Sequence, residues 1–396
     1  GMTFQRTEDF NDFGKILTRP QFNFNSVFDF AIDSPFSEGN IGIDPLTAAP
    51  ITSDKRYTAI RESNMGIFFQ DDWKVKPNFT LNFGVRYELF FNGIQRYGGT
   101  QLYPGSGSDL TTRVANMRVD YSPDGRHLLN GTDYNNFAPR FSFAWDPSKK
   151  GKMSIRGGAG VFYNRLMTCM YASTLDNLPR VANVGVSQQT PPALPVYGLG
   201  ASGEEPFGFP AVTGITPGLD SKNGLLVGRA NIAGPDTALR VPYAYNWFLG
   251  VQYALGDNWV LEANYIGSTG HKQLSQYDVN RFAGDLIVND NVLTRLNTSF
   301  GQIGQTSAQI NSFYTGGTVA LKKRFSRGFT FDTAYTFGKA IDGSDIGGGG
   351  NEIGVRVADI TNLRRERALA AFDIRQRLAL SFLWQLPKPN TGSSFA

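Results

Sequence analysis

Residues 68–88 read FFQDDWKVKPNFTLNFGVRYE, and the second half of this stretch decides the fold. From Phe79 the odd positions run Phe79, Leu81, Phe83, Val85, Tyr87, Leu89 and Phe91, while the even ones begin Thr80, Asn82, Gly84, Arg86 and Glu88. Side chains alternate across an extended chain, so a period of two makes a strand with one apolar face and one polar, charged face. Pro77 and Asn78 interrupt the pattern, and residues 74–78 therefore read as a tight turn between two strands, 59–73 and 79–91.

The same alternation recurs along the chain. Tyr243, Tyr245, Trp247, Leu249, Val251, Tyr253 and Leu255 make one row, and Trp259, Leu261, Ala263 and Tyr265 stand opposite Glu262 and Asn264. Phe329, Phe331, Tyr335 and Phe337 face away from Thr330, Asp332 and Thr336. The row Phe372, Ile374, Leu378, Leu380, Phe382, Trp384 and Leu386 is the longest, and Phe22, Phe24, Phe28, Phe30 and Ile32 read as the first. About ten strands result: 20–32, 59–73, 79–91, 138–146, 152–164, 242–255, 258–269, 312–325, 328–339 and 371–386.

The connections alternate in length. Tight turns are expected at 74–78, 147–151, 256–258 and 326–328, and long polar loops at 92–137, 167–241, 271–311 and 340–371. Strands of more than ten residues suit a tilted bilayer crossing. Short turns at one end and long loops at the other are the pattern of an antiparallel transmembrane β-barrel of the outer membrane. Aromatics near strand ends, among them Trp73, Phe79, Phe90, Phe91, Trp145, Tyr163, Trp259 and Trp384, match interfacial girdles. A soluble sandwich or propeller would also alternate, but it would not hold its long loops so consistently at one end, nor would a propeller space its hairpins so unevenly. On this reading Asn82, Arg86, Glu88, Gln252, Glu262, Asn264, Asp332, Arg375 and Arg377 face the lumen.

Composition agrees with one apolar face per strand. The 396 residues include 31 Phe and 45 Gly, yet only 41% are hydrophobic. No run of about 18 apolar residues exists to make a transmembrane helix, and the first twenty residues have no apolar signal-peptide segment. The single cysteine, Cys169, permits no internal disulfide. A net charge of +4 with scattered Lys and Arg points away from nucleic acid.

The chemistry of catalysis is missing from the sequence. HExxH, GxSxG, CxxC and Walker patterns do not occur, so no enzyme, cofactor or metal centre is expected. GSDIGGGGN at 343–351 lacks the strand-to-helix setting of a phosphate loop. His127 and His271 read as solvated loop residues, Asp71-Asp72 as a solvated rim beside a turn, and the carboxylates in 120–124 and 342–345 do not follow EF-hand spacing. Arg364, Arg365, Glu366 and Arg367, followed by Asp373, Arg375 and Arg377, form the densest charge, read as a loop entering a lumen-facing strand.

FFQDDWKVKPNFTLNFGVRYE resembles a recurring hairpin of TonB-dependent outer-membrane receptors of the Oar-like kind. NFAPRFSFAWDP (136–147) with IRGGAGVFYNR (155–165) is similar to the next hairpin. YNWFLGVQYALGDNWVLEANYIGSTG (245–270), KKRFSRGFTFDTAYTFGKAID (322–342) and FDIRQRLALSFLWQLP (372–387) continue in the same order, and PQFNFNSVFDFAIDSP (20–35) resembles a preceding strand. The resemblance implies a barrel of about 22 strands, an N-terminal plug, often a regulatory-like sandwich before it, and energy from an inner-membrane TonB complex. The chain carries neither plug nor sandwich nor coupling box and about half the strands, so residues 1–396 read as one piece of the C-terminal barrel. Expected partners are outer-membrane lipid, the TonB complex through the missing plug, and a transported peptide, glycan or chelate. Two other readings stay open: a passive porin-like channel, and a soluble β-rich adhesion or glycan-binding protein.

Overall fold

The computed structural model describes residues 1–12, 21–32, 37–49, 51, 57–123, 129, 131–166, 174, 177–187, 215–280, 295–343 and 362–386. In chain order the first strands are β1 (Met2–Asp12), β2 (Gln21–Asn23), β3 (Ser37–Ile43), β4 (Tyr57–Lys76), β5 (Phe79–Phe90), β6 (Ile94–Gln95), β7 (Gly99–Tyr103), β8 (Arg118–Ser122) and β9 (Phe137–Trp145). Then follow β10 (Met153–Tyr163), β11 (Ala182–Ser187), β12 (Ile232–Pro235), β13 (Tyr243–Ala254), β14 (Trp259–Asp278), β15 (Ile303–Ser326), β16 (Phe329–Asp342), β17 (Ala368–Leu369) and β18 (Gln376–Trp384).

One 13-stranded sheet dominates, and β6, β12 and β17 are short pieces at its upper margin. The remaining ten strands form an antiparallel wall in the order β1-β4-β5-β9-β10-β13-β14-β15-β16-β18. Among the described residues no pairing joins β1 to β18, so the wall is open with those two strands as its edges.

Register fixes the ends of the wall. Phe79 pairs with Trp145, Met153 with Tyr253, Trp259 with Lys323, and Phe329 with Trp384. Each of these residues borders a short turn or ends its strand, so the four tight turns lie along one rim. Local chemistry makes them tight. Arg327 (φ 52°) and Gly328 (φ 76°) form a two-residue turn between the paired Ser326 and Phe329, with both central residues in the left-handed region. Asp146 closes another by accepting hydrogen bonds from the Ser148 and Gly151 amides at 2.9 and 2.7 Å.

At the opposite rim the wall rises into folded loops. β14 and β15 contain 20 and 24 residues, about twice what a tilted crossing needs. Their upper halves pack with loop segments around a core of Leu102, Val119, Leu178, Ile232, Tyr277 and Phe300. β12 adds to β15 in parallel, β7 pairs with β8, and β11-β3-β2 makes a separate small sheet. Among the described residues, the largest buried hydrophobic cluster therefore lies above the wall.

Four expectations need correction. The predicted strand 20–32 is instead the three-residue β2 followed by a short helix, Val27–Ala31. Ser26 starts that helix by accepting a hydrogen bond from the Asp29 amide at 3.1 Å, and its hydroxyl donates to the Asp29 carboxylate at 2.8 Å. The wall's first strand is β1, which the sequence reading passed over. The long loops are not merely polar, because their scattered apolar residues assemble the core just described. Finally, His271 lies on β14 and stacks on the Tyr243 ring at 5.2 Å, which takes it out of the solvated loop. His127 and the acidic positions 124 and 345 lie outside the described residues.

Candidate functional site

The pairings sort every wall residue onto one of two faces. One face carries Phe69, Trp73, Phe83, Phe141, Leu249, Tyr265, Val319, Tyr335 and Leu378, all exposed. Asp71 is an acid within this row, opposite Phe83 and close to the turn rim. An exposed apolar surface spread over eight strands far exceeds the patches that water-facing surfaces of soluble proteins carry.

The other face is polar and rich in glycine, and on it stand Asn82, Arg86, Glu88, Gln252, Glu262, Asn264, Asp332 and Arg377. Arg375 precedes β18; its carbonyl accepts from the Gly338 amide at 3.0 Å and its guanidinium pairs with Asp373 at 2.9 Å. The structure gathers these residues into two groups. Towards the turns, Glu262 accepts from the Gln252 amide at 3.0 Å and pairs with Lys322 at 3.2 Å, while Thr318 and Thr336 share a hydrogen bond of 2.9 Å. Towards the loops, Arg86 pairs with Glu88 at 2.6 Å and donates to the Thr3 hydroxyl at 2.9 Å.

Between the groups lies a groove of about 740 Å³, to which the side chains of Phe68, Arg140, Phe162, Phe248, Ile266 and Tyr314 contribute from six strands. All six share the polar face by register. The Arg140 guanidinium lies over the Phe162 ring at 4.5 Å, and Arg86 over Phe68 at 5.7 Å. Glycines make room for the rings: a Cβ at Gly158 would stand 2.9 Å from the Phe248 ring, and one at Gly160 would stand 3.2 Å from the Phe162 ring. Sequence reading missed these residues because it assigned faces by strict alternation. The available signal was aromatic and aliphatic doubling, Phe68-Phe69, Val161-Phe162-Tyr163 and Trp247-Phe248-Leu249, which puts bulk on both faces at once.

A second feature sits where the wall meets the loops. Glu62, towards the loop end of β4 and past the ten or so residues that a tilted crossing needs from the turn rim, is only 3% exposed, and its Oε1 has no hydrogen-bond partner. Its neighbour Ile60 packs under Leu129 and Leu239 from the loops. Burial pushes the Glu62 carboxyl up to about 6, with Arg165 pulling down and Asp9 pushing up. Among the described residues no three His, Cys, Asp or Glu side chains converge as a metal site would require.

An antiparallel wall that is apolar on one face, polar on the other, and turned at one rim is the architecture of a membrane β-barrel. The chain matches the outer membrane beta barrel domain over residues 1–395 and belongs to that family. It is a protein of the Gram-negative outer membrane. Among solved structures it is similar to the transporter YddB from Escherichia coli, at 12% identity and a TM-score of 0.41, covering 83% of this chain and 40% of that one. It is also similar to the ferripyoverdine receptor of Pseudomonas aeruginosa, with 10% identity, a TM-score of 0.39, and coverage of 86% and 28%. The siderophore receptor PiuA from Acinetobacter baumannii matches at 10% identity and a TM-score of 0.34, covering 72% and 26%. The chain thus spans less than half the length of each of these structures. No curated protein sequence matches it.

Proposed function

We propose that this chain is part of a TonB-dependent receptor of the Oar-like kind, which binds a large solute and passes it through the barrel in an energy-coupled step. The polar face with its groove is the lumen wall, the apolar face meets lipid, and the loop core forms the outer recognition surface. The observation that carries this reading is the segregation of faces. A lumen needs fixed polar side chains, and Arg86–Glu88 and Glu262–Lys322 supply them on the polar face, while the Glu8–Arg61 pair on the opposite face lies nearer the loop rim. Two exposed edges, β1 and β18, are unfavourable in lipid, where each unpaired backbone group costs several kcal/mol. Further strands of the same polypeptide would close them and complete a barrel of about 22 strands. Coupling to the TonB complex would run through a plug supplied by the same longer protein.

The test is uptake by cells producing the full-length protein, using fluorescent oligopeptides, glycans and iron chelates. The coupled-transport reading expects at least one of these to accumulate, and accumulation to stop when the inner-membrane proton gradient is collapsed. Uptake that persists without the gradient would instead favour the passive porin-like channel.

A further inference from the structure

The two ends of the apolar face differ in chemistry. Four of the five tryptophans, Trp73, Trp145, Trp259 and Trp384, stand on that face beside the turn rim. At the loop end the cluster is Tyr163, Tyr243, Tyr245 and His271 instead. The turns beyond the tryptophans are basic. Residues 71–78, 146–152, 255–258 and 322–328 carry nine Lys and Arg against four Asp, an excess greater than the +4 of the whole chain. One of those carboxylates, Asp146, is engaged by the Ser148 and Gly151 amides. Rings and turns alike lie on the outside or the end of the wall, so nothing placed within a lumen reaches them.

Ring and cation come together at each place. Lys74 and Lys76 stand one and three residues beyond Trp73, and Lys149, Lys150 and Lys152 occupy the turn beyond Trp145, all exposed. The Lys323 ammonium lies 5.9 Å from the Trp259 ring and 5.3 Å from the Phe329 ring, held there by donating to the Ser326 and Phe329 carbonyls at 2.9 and 2.8 Å. The Gln385 amide donates to the Gly328 carbonyl at 2.7 Å, which brings Trp384 close to the turn that carries Arg327. Indole rings settle at the level of lipid headgroups. The polar interface of one leaflet is about 5–8 Å deep, and one to three residues of extended chain cover about 3–10 Å. The cations therefore stand at the depth of lipid phosphates, which long Lys and Arg side chains reach while their stems stay against apolar surface.

We propose that the turn rim binds anionic glycerophospholipids of the leaflet that it borders, with the tryptophans at the glycerol level and the Lys and Arg of the turns on the phosphates. The inference rests on the apolar face meeting lipid and adds that the rim selects lipid by charge. A soluble acidic partner or a cell-wall polymer would need only the cations. The tryptophans beside them on the lipid side favour a headgroup.

The test uses the full-length protein in phosphatidylcholine bilayers that contain a trace of phosphatidylglycerol or phosphatidylcholine with a nitroxide near the end of one acyl chain. Electron paramagnetic resonance separates lipid held at the protein surface from free lipid. Phosphatidylglycerol should be favoured about threefold at low salt, and the preference should vanish at about 1 M salt, where charges act over only about 3 Å. A combined Lys74→Gln, Lys76→Gln, Lys149→Gln and Lys150→Gln variant should lose most of it. Arg113→Gln with Arg229→Gln, in the folded loops, should leave it unchanged. All six side chains are exposed, and heat-modifiable electrophoretic mobility verifies that each variant folds. Equal held fractions of the two lipids, or a preference that survives in the turn variant, would overturn the proposal. Turn-dependent co-sedimentation with isolated peptidoglycan in place of a lipid preference would give the rim to the cell wall and overturn it too. No held fraction from either lipid would refute the lipid-facing reading itself, whereas equal fractions refute only the selection by charge.

Discussion

Phe79 at the start of β5 stands directly opposite Trp145 at the end of β9, which places two successive hairpin turns at the same rim of the wall. The same relationship repeats at Met153–Tyr253, Trp259–Lys323 and Phe329–Trp384, so the polypeptide has a turn end and a loop end. On the proposed reading the loop end faces outward, as long loops of such barrels do.

Cysteine labelling checks that orientation. In a Cys169→Ser background, Leu226→Cys in the loop region should react with a membrane-impermeant maleimide on intact cells. Lys149→Cys, in the turn between β9 and β10, should react only after the outer membrane is permeabilised. Labelling of Lys149→Cys on intact cells would contradict the assignment of ends.

The loop core should behave as a folded unit in its own right. Phe300 is fully buried there, and the Asn280 side-chain amide donates to the carbonyls of Asn297 and Phe300 at 3.0 and 3.2 Å. Phe300→Ala is expected to cost about 3–5 kcal/mol, and Asn280→Ala about 1–3 kcal/mol through the buried carbonyls it leaves unpaired. Hydrogen exchange read by mass spectrometry should accelerate across 295–303 in both variants and stay unchanged in β5. Unchanged exchange in the loops would show that this core does not hold them.

Glu62 predicts a pH dependence at the junction of wall and loops. Its carboxyl stands at about 6 in the folded protein against an ordinary 4.5, so the fold prefers the protonated form. The stabilisation is complete below the unfolded value and is lost as pH rises through about 6. The loop–wall junction should therefore resist proteolysis better at pH 5 than at pH 7.5, by on the order of 1–2 kcal/mol. Glu62→Gln should flatten this dependence and hold the junction at the low-pH level. A wild-type profile equally flat from pH 5 to 7.5 would remove Glu62 as its origin.

Much of the wall was legible because lipid on one side and water on the other imprint a period of two on β5, β13, β16 and β18. β1 escaped notice because Arg6 and Glu8 share a face with Phe4 and Phe10, and its place comes from eleven backbone pairings with β4. Phe22, Phe24, Phe28 and Phe30 imitated a strand, since alternation cannot register the Ser26 cap that turns the chain into a helix. The loop core was illegible for another reason: Leu102, Val119, Leu178, Ile232 and Phe300 come from distant segments and have no common period. The polar residues of the candidate site could be assigned to a face from sequence alone. The groove could not, because it exists only once register brings Phe68, Arg140, Phe162 and Phe248 together.

The central claim is that Phe83 and Val85 face lipid while Asn82 and Arg86 face an aqueous lumen. Spin-label accessibility along β5 measures it most directly. Single cysteines at positions 80–87 of the full-length protein, in the Cys169→Ser background, are labelled with a nitroxide and reconstituted in bilayers. Collision with oxygen, which concentrates in lipid, should peak at 81, 83, 85 and 87. Collision with a water-soluble nickel chelate should peak at 80, 82, 84 and 86. Both profiles should repeat every two residues and stand out of phase. Profiles in phase, a period near 3.6, or nickel access at Phe83 equal to that at Arg86 would contradict the account.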